Sequence, residues 1–232
     1  MIVLGIESST PVASVALVSE NGLLGEITLN IGLTHSEQLL PLIDDLLVQT
    51  KTAREQLQGI AVAGGPGSFT GLRIGMATAK GLAQGLNLPL TSISTLEALA
   101  ATQTGRAGLV SPVMNARKNE VYTALFRLAT NNSEQLLNSL AVAPEQWAQT
   151  LLSYREPVLF VGDGVLVYAD IWQKVLREQA VCPPAIYGYN RAITVAWLGR
   201  KRLLAGQHDD LYNLKPIYIR LSEAQAKLDR CK

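Results

Sequence analysis

The feature that most constrains this 232-residue chain is an order of segments that occurs twice. "IVLGIES" (2–8), "ASVALVS" (13–19) and "LLGEITL" (23–29) are short β-rich runs, parted by "STPV" and "ENG", the turn chemistry of a meander. A helical stretch follows, "THSEQLLPLIDDLLVQT" at 34–50. Thr34 is placed to cap it, Glu37 stands three residues on at the capping-box spacing, and Pro41 falls early enough to be tolerated with a bend. A strand at 59–64, a helix over 68–86, a strand "LTSIS" and a helix from Thr95 complete the set. The order then restarts. "GLVSPVMNAR", "EVYTALFRLA" and "EQLLNSLAV" read as three strands, followed by the helix "PEQWAQTLLS", the strand "PVLFVGDG" and the helix "LVYADIWQKVLREQ". A last helix spans about 192–206, and "YNLKPIYIRL" closes the chain.

This order predicts an α/β protein of two lobes with duplicated βββαβα units, the actin-like (ribonuclease H-like) arrangement that sugar kinases share. The turn-rich "TGRAG" (104–108) sets the expected boundary, with an N-terminal lobe at 1–106 and a C-terminal lobe at 107–232. With 48% hydrophobic and 17% charged residues the chain is globular, not disordered. A net charge of +1 argues against nucleic-acid binding through its own surface, and the densest basic spot, "LGRKRLLAG" (198–206), reads as a solvated helix face. Two cysteines, Cys182 and Cys231, make neither a disulfide framework nor a metal spacing, which fits a reducing compartment. "MIVLGIESST" reads as a first strand rather than a leader, and no apolar run reaches the ~20 residues that span a bilayer. A soluble, cytoplasmic protein without membrane contact is expected.

"IAVAGGPGSFTGLRIGMATAKGLAQGL" (60–86) resembles the start of a phosphate loop but fails the test. A Walker A loop needs a second glycine five positions on and then Lys. Here Gly65 leads to Thr70, then Gly71 and Leu72. The dinucleotide fingerprint fails at the same threonine. A turn explains the stretch, with Pro66 fixing φ, Gly67 permitting a positive one and Ser68 capping the helix. Inside that helix Gly71, Gly75, Ala79 and Ala83 recur every fourth residue, a ridge that lets another backbone come close. Each internal glycine costs roughly 1 kcal/mol relative to alanine, so close packing should offset it, against the protein's own sheet or against a partner helix. Leu39, Leu40, Leu42, Ile43, Leu46 and Leu47 cover an arc of about 160° on the earlier helix, wider than the ~100° that one core contact needs.

"GGPGSFTGLRIGMATAKGLA", with "IESST…SVAL", "THSEQLLPLI", "NARKNEVYTALF" and "PIYIRL", closely resembles the TsaB family (formerly YeaZ) over nearly the whole chain. The resemblance implies a non-catalytic partner that binds and activates its paralogue TsaD, which transfers threonylcarbamoyl to the adenosine next to the tRNA anticodon. It implies a heterodimer with TsaD, a ternary complex with the small ATPase TsaE, tRNA contact only through the complex, and room for a homodimer through the same N-terminal helices. It tilts the choice for the small-residue ridge towards a partner. The expected contact residues are Leu39, Leu42, Ile43 and Leu46 on the first helix and Gly71, Gly75, Ala79 and Ala83 on the second. Asn115 stands where the family usually has Asp.

Catalytic groups are sparse. The resemblance places TsaD's metal-binding His-x-x-x-His pair at Thr95 and Leu99, neither a usable ligand, and only Glu97 lies nearby. No metal, cofactor or catalytic residue is expected, and His35 reads as a surface or capping residue. A G-x-S-x-G elbow is absent, because Ser68 directly follows Gly67, so a peptidase is disfavoured. The alternative is a stand-alone actin-fold ATPase or small-molecule kinase. It would use Glu7 for Mg²⁺, Ser8, Ser9 and Thr10 for phosphate and "VGDGV" for adenosine, but its second loop carries Asn115 in place of an acid and Arg117 in place of a metal-coordinating group.

Overall fold

The computed structural model describes residues 1–32, 34–130, 133–184 and 188–220. Two compact units divide it, Met1–Thr102 with Tyr189–Pro216, and Gln103–Gly188 with the segment from Ile217. The expected boundary after residue 106 therefore needs correcting. The chain enters the second unit near that point but returns, and 189–216 belong to the first unit.

In the first unit β1 (Val3–Glu7), β2 (Ala13–Ser19) and β3 (Gly22–Leu29) form the expected meander. α1 (His35–Gln49), β4 (Gly59–Gly65), α2 (Phe69–Leu86), β5 (Leu90–Ser94) and α3 (Thr95–Ala101) follow. The sheet order is β3-β2-β1-β4-β5, with β4 and β5 parallel to β1. β1, β2 and β4 are buried throughout, as strands covered on both faces should be. Glu37 Oε2 accepts the Thr34 N–H at 3.2 Å, so the predicted start of α1 is made by these two residues. Ser68 Oγ accepts the Gly71 N–H at 3.2 Å and starts α2. The turn before α2 differs from expectation. The positive φ is at Gly65, beside a cis Gly65–Pro66 bond. Gly67 is small for a steric reason, since a Cβ there would lie 2.4 Å from Ser9 O.

The other face of this sheet is covered by α7 (Ala192–Leu204), the helix reached on the chain's return. Its N-cap residue, Arg191, makes no side-chain cap, and the sheet supplies one instead. Ser14 Oγ accepts from Ala192 N and Glu26 Oε1 from Ile193 N, both at 3.0 Å, while Glu26 also pairs with Arg191. Glu26→Ala removes one acceptor and the ion pair together. It should destabilise the first unit by about 1–2 kcal/mol, read as a lower urea midpoint at unchanged slope. Arg202 and Asp209 add a clamp at the other end: Arg202 bonds Ser92 O and Glu97, and Asp209 accepts from Ser92 N.

The second unit repeats the pattern with β6 (Gly108–Arg117), β7 (Glu120–Leu128), β8 (Ser133–Val142), α4 (Pro144–Leu152) and β9 (Val158–Val161). Two short helices, α5 (Gly164–Val167) and α6 (Ala169–Leu176), replace the single helix expected at 166–179, and β10 (Ala180–Val181) closes the sheet. Its order, β10-β9-β6-β7-β8, is the first sheet's read from the other end. The duplication is thus one of topology: each sheet has its antiparallel meander on one side and parallel strands on the other. Trp147 and Trp172 fill the core of this unit, with Trp172 stacked on Phe160 at 4.9 Å between centroids.

Candidate docking face

The eight expected contact residues do not form the outer surface. Leu39, Leu42, Ile43 and Leu46 are 1–6% exposed and sit in one apolar core with β1, β2 and β4. Gly71, Gly75, Ala79 and Ala83 are buried on the same side. A Cβ on Gly75 would lie 2.1 Å from Ser8 Oγ, and one on Gly71 2.1 Å from the Ser8 carbonyl oxygen. The ridge is therefore corrected from a partner contact to a self-contact. Its small residues let α2 come down onto the loop after β1, where Ser8 Oγ donates to Gly71 O at 2.9 Å. The wide arc of α1 has the same explanation, because that helix packs on both the sheet and α2.

The outward surface is built from the residues in between. On α1 these are Leu40 (55% exposed), Pro41, Asp44, Asp45 and Val48, and on α2 Arg73, Ala77, Gly81, Gln84 and Gly85. A groove of about 750 Å³ runs between the two helices, walled by Leu40, Pro41, Leu82 and Leu86, with Ile43 reaching it from below. A Cβ on Gly81 or Gly85 would meet nothing within 4 Å. Here, then, is a second small-residue pair at i, i+4, on the open side of the helix. The buried ridge has Leu72 and Met76 beside it on the inner face of the helix. Gly81 and Gly85 lie among Thr70, Arg73 and Gln84, companions that read as ordinary solvated surface. The carboxylates of the rim sit on α1, where Asp44 pairs with Arg54 at 2.6 Å.

The positions that a kinase or metal reading would need have structural partners instead. Glu7, Ser8 and Ser9 are 0–1% exposed, and Thr10 is 7% exposed. Glu7 Oε1 accepts the Ser9 N–H at 2.6 Å, and burial raises the carboxyl above its ordinary range. His35 Nε2 bonds Thr10 O at 2.8 Å, pinning the start of α1 to the loop after β1. Asn115 Oδ1 accepts the Arg117 N–H, and its own N–H goes to Asp163 Oδ1, both at 2.9 Å, so the side chain organises a hairpin. Thr95 and Leu99 are fully buried in α3, which packs beneath α7. Among the described residues no three His, Cys, Asp or Glu side chains converge to hold a metal, and no helix is long and apolar enough to cross a membrane. Cys231 lies outside the described residues.

A family model described as "TsaD: tRNA N6-adenosine threonylcarbamoyltransferase" matches residues 24–228. The chain is 34% identical over 227 residues to the tRNA threonylcarbamoyladenosine biosynthesis protein TsaB of Bacillus subtilis (strain 168), covering 98% of this chain and 97% of that one. The chain belongs to the TsaB family. Among solved structures this TsaB-family protein resembles YeaZ from Pseudomonas aeruginosa, at 26% identity and a TM-score of 0.78 over 94% of this chain and 99% of that one. The ROK hexokinase from Thermus thermophilus shares the fold alone, at 10% identity and a TM-score of 0.52 over 89% of this chain and 100% of that one. The TsaB-family protein thus has the actin-like, sugar-kinase architecture expected from its segment order.

Proposed function

We propose that this protein serves tRNA threonylcarbamoyladenosine biosynthesis as a non-catalytic subunit that binds and activates a TsaD-type transferase. The supporting observation is the state of α3. The resemblance to TsaD puts a metal-binding pair at Thr95 and Leu99, and here both are fully buried residues of α3, a helix packed on β4, β5 and α7. Neither a buried threonine nor a buried leucine can serve as that pair, which supports assigning the chemistry to the partner. The stand-alone ATPase or kinase reading is the weaker one, because Glu7, Ser8 and Ser9 are buried rather than open to a nucleotide, with Ser8 bonded to Gly71 of α2.

The docking face of this reading is the outer side of α1 and α2. Their groove accepts side chains from two helices of the paralogue, and Gly81 and Gly85 let the backbones approach. TsaE joins as a third component, and tRNA is met through the assembled complex. Reconstitution decides the matter: the transferase, TsaE, ATP, threonylcarbamoyl donor and tRNA are combined with and without this chain. Modified adenosine is expected only with it, and none from this chain alone. An undiminished rate in its absence would refute the activator role.

A further inference from the structure

The segment after α7 returns along the β5 edge, where Asp209 N donates to Leu90 O at 2.8 Å. Leu211 and Leu214 then anchor it in the same apolar core that α1 and α2 cover. Between these two anchors stands Tyr212, 77% exposed. Its turn is tightly organised. Asp210 Oδ1 accepts from Tyr212 N at 2.8 Å, and Asp210 Oδ2 from Asn213 Nδ2 at 2.6 Å. The Asn213 amide, with the Tyr212 N–H and the nearby Lys80 charge, holds the Asp210 carboxyl below its ordinary range. Lys80 Nζ also donates to Tyr212 O at 3.4 Å, tying the turn to α2. Lys80 is rotated about 160° from Leu82 at 3.6 residues per turn, so the turn flanks α2 on the side away from the groove.

We infer that Tyr212 is a third element of the docking face, an aromatic anchor that packs against the same transferase subunit bound across α1 and α2. This rests on the docking reading above and extends it. An exposed tyrosine on a pre-ordered mount loses little entropy on binding, and residues of this type dominate interface energies. The mount also adds a polarity across the face: acids on α1 (Asp44, Asp45) and the Lys80 cation beside Tyr212. A partner fits this order with a basic flank over α1, an apolar or small-residue helix in the groove, and an acidic or aromatic flank at Tyr212.

The test compares the full chain, Tyr212→Ala and Gly81→Leu for Kd towards the purified transferase and for Tm. Tyr212→Ala is expected to weaken binding by about tenfold or more with an unchanged Tm. Unchanged Kd in Tyr212→Ala alongside weakened binding in Gly81→Leu overturns this inference and leaves the helical face standing. Unchanged binding in both variants overturns the helical face as well. Weaker binding that comes with a lowered Tm also overturns the inference, since the residue would then act through the fold.

Discussion

Gly75→Leu is expected to cripple the first unit's stability while leaving partner affinity intact in whatever fraction folds, and Gly81→Leu is expected to do the reverse. The two glycines sit six residues apart on the same helix, on different faces, and only their surroundings differ. The first carbon added at Gly75 would stand 2.1 Å from Ser8 Oγ and 3.3 Å from Ser8 Cβ. Ser8 cannot yield cheaply, because it is fully buried and its hydroxyl is held to Gly71 O. Overpacking of this kind costs about 1–3 kcal/mol, and more where a hydrogen bond must also break. At Gly81 the same side chain enters open space and gains helix propensity, somewhat less than the roughly 0.8–1 kcal/mol that separates glycine from alanine. Thermal stability should hold or rise. A leucine there would fill the groove edge, so transferase affinity should fall roughly 5- to 150-fold if the obstruction costs about 1–3 kcal/mol. Thermal melts and a binding isotherm on both variants check this. Normal binding and stability in Gly81→Leu would remove α2 from the interface.

The same contrast marks what a sequence can and cannot disclose here. Element order was legible because hydrophobic period and turn chemistry are local: Thr34 with Glu37 and Ser68 with Gly71 made helix starts where the spacing predicted them. Which way a helix faces was harder. Two small-residue pairs on α2 satisfy the same period, and only the placement of β1 and its loop says that Gly71 and Gly75 are the inner pair. The chain's return was hidden for a related reason. α7 is capped by Ser14 and Glu26, far away in sequence, so no neighbouring residue announced which sheet it would cover. Tyr212 carries no sequence signal, because a lone aromatic in a turn acquires meaning only from the Asp210 bonds and the Lys80 contact that present it.

Glu7→Ala should be among the most damaging single changes in the chain, and Glu7→Gln far milder at neutral pH. Glu7 is fully buried, and desolvation raises its carboxyl above the ordinary value even though the Ser9 hydroxyl, the Ser9 N–H, the Asn190 amide and the Ser8 N–H all favour the ionised form. Only the Ser9 N–H makes a well-aligned bond. Glu7 Oε2, Ser9 Oγ and Asn190 Nδ2 are each buried without an aligned protein partner. Alanine leaves the Ser9 N–H unpaired as well and opens a cavity beneath the loop that bolts α1 and α2. Each orphaned donor costs about 1–3 kcal/mol. Glutamine keeps an acceptor for Ser9 and removes a charge that burial disfavours. The pH dependence follows from the sign of the shift. A folded value above the unfolded one means that the native state holds the proton more tightly, so stability falls as pH rises from the unfolded pKa, near 4.5, through the folded one. Glu7→Gln should abolish that decline, and its stability relative to wild type should improve as pH rises across the window. Urea midpoints at a series of pH values measure this directly. A wild type whose stability instead climbs with pH across the window, with Glu7→Gln flattening the climb, would show that the surrounding donors outweigh burial and hold Glu7 as a carboxylate.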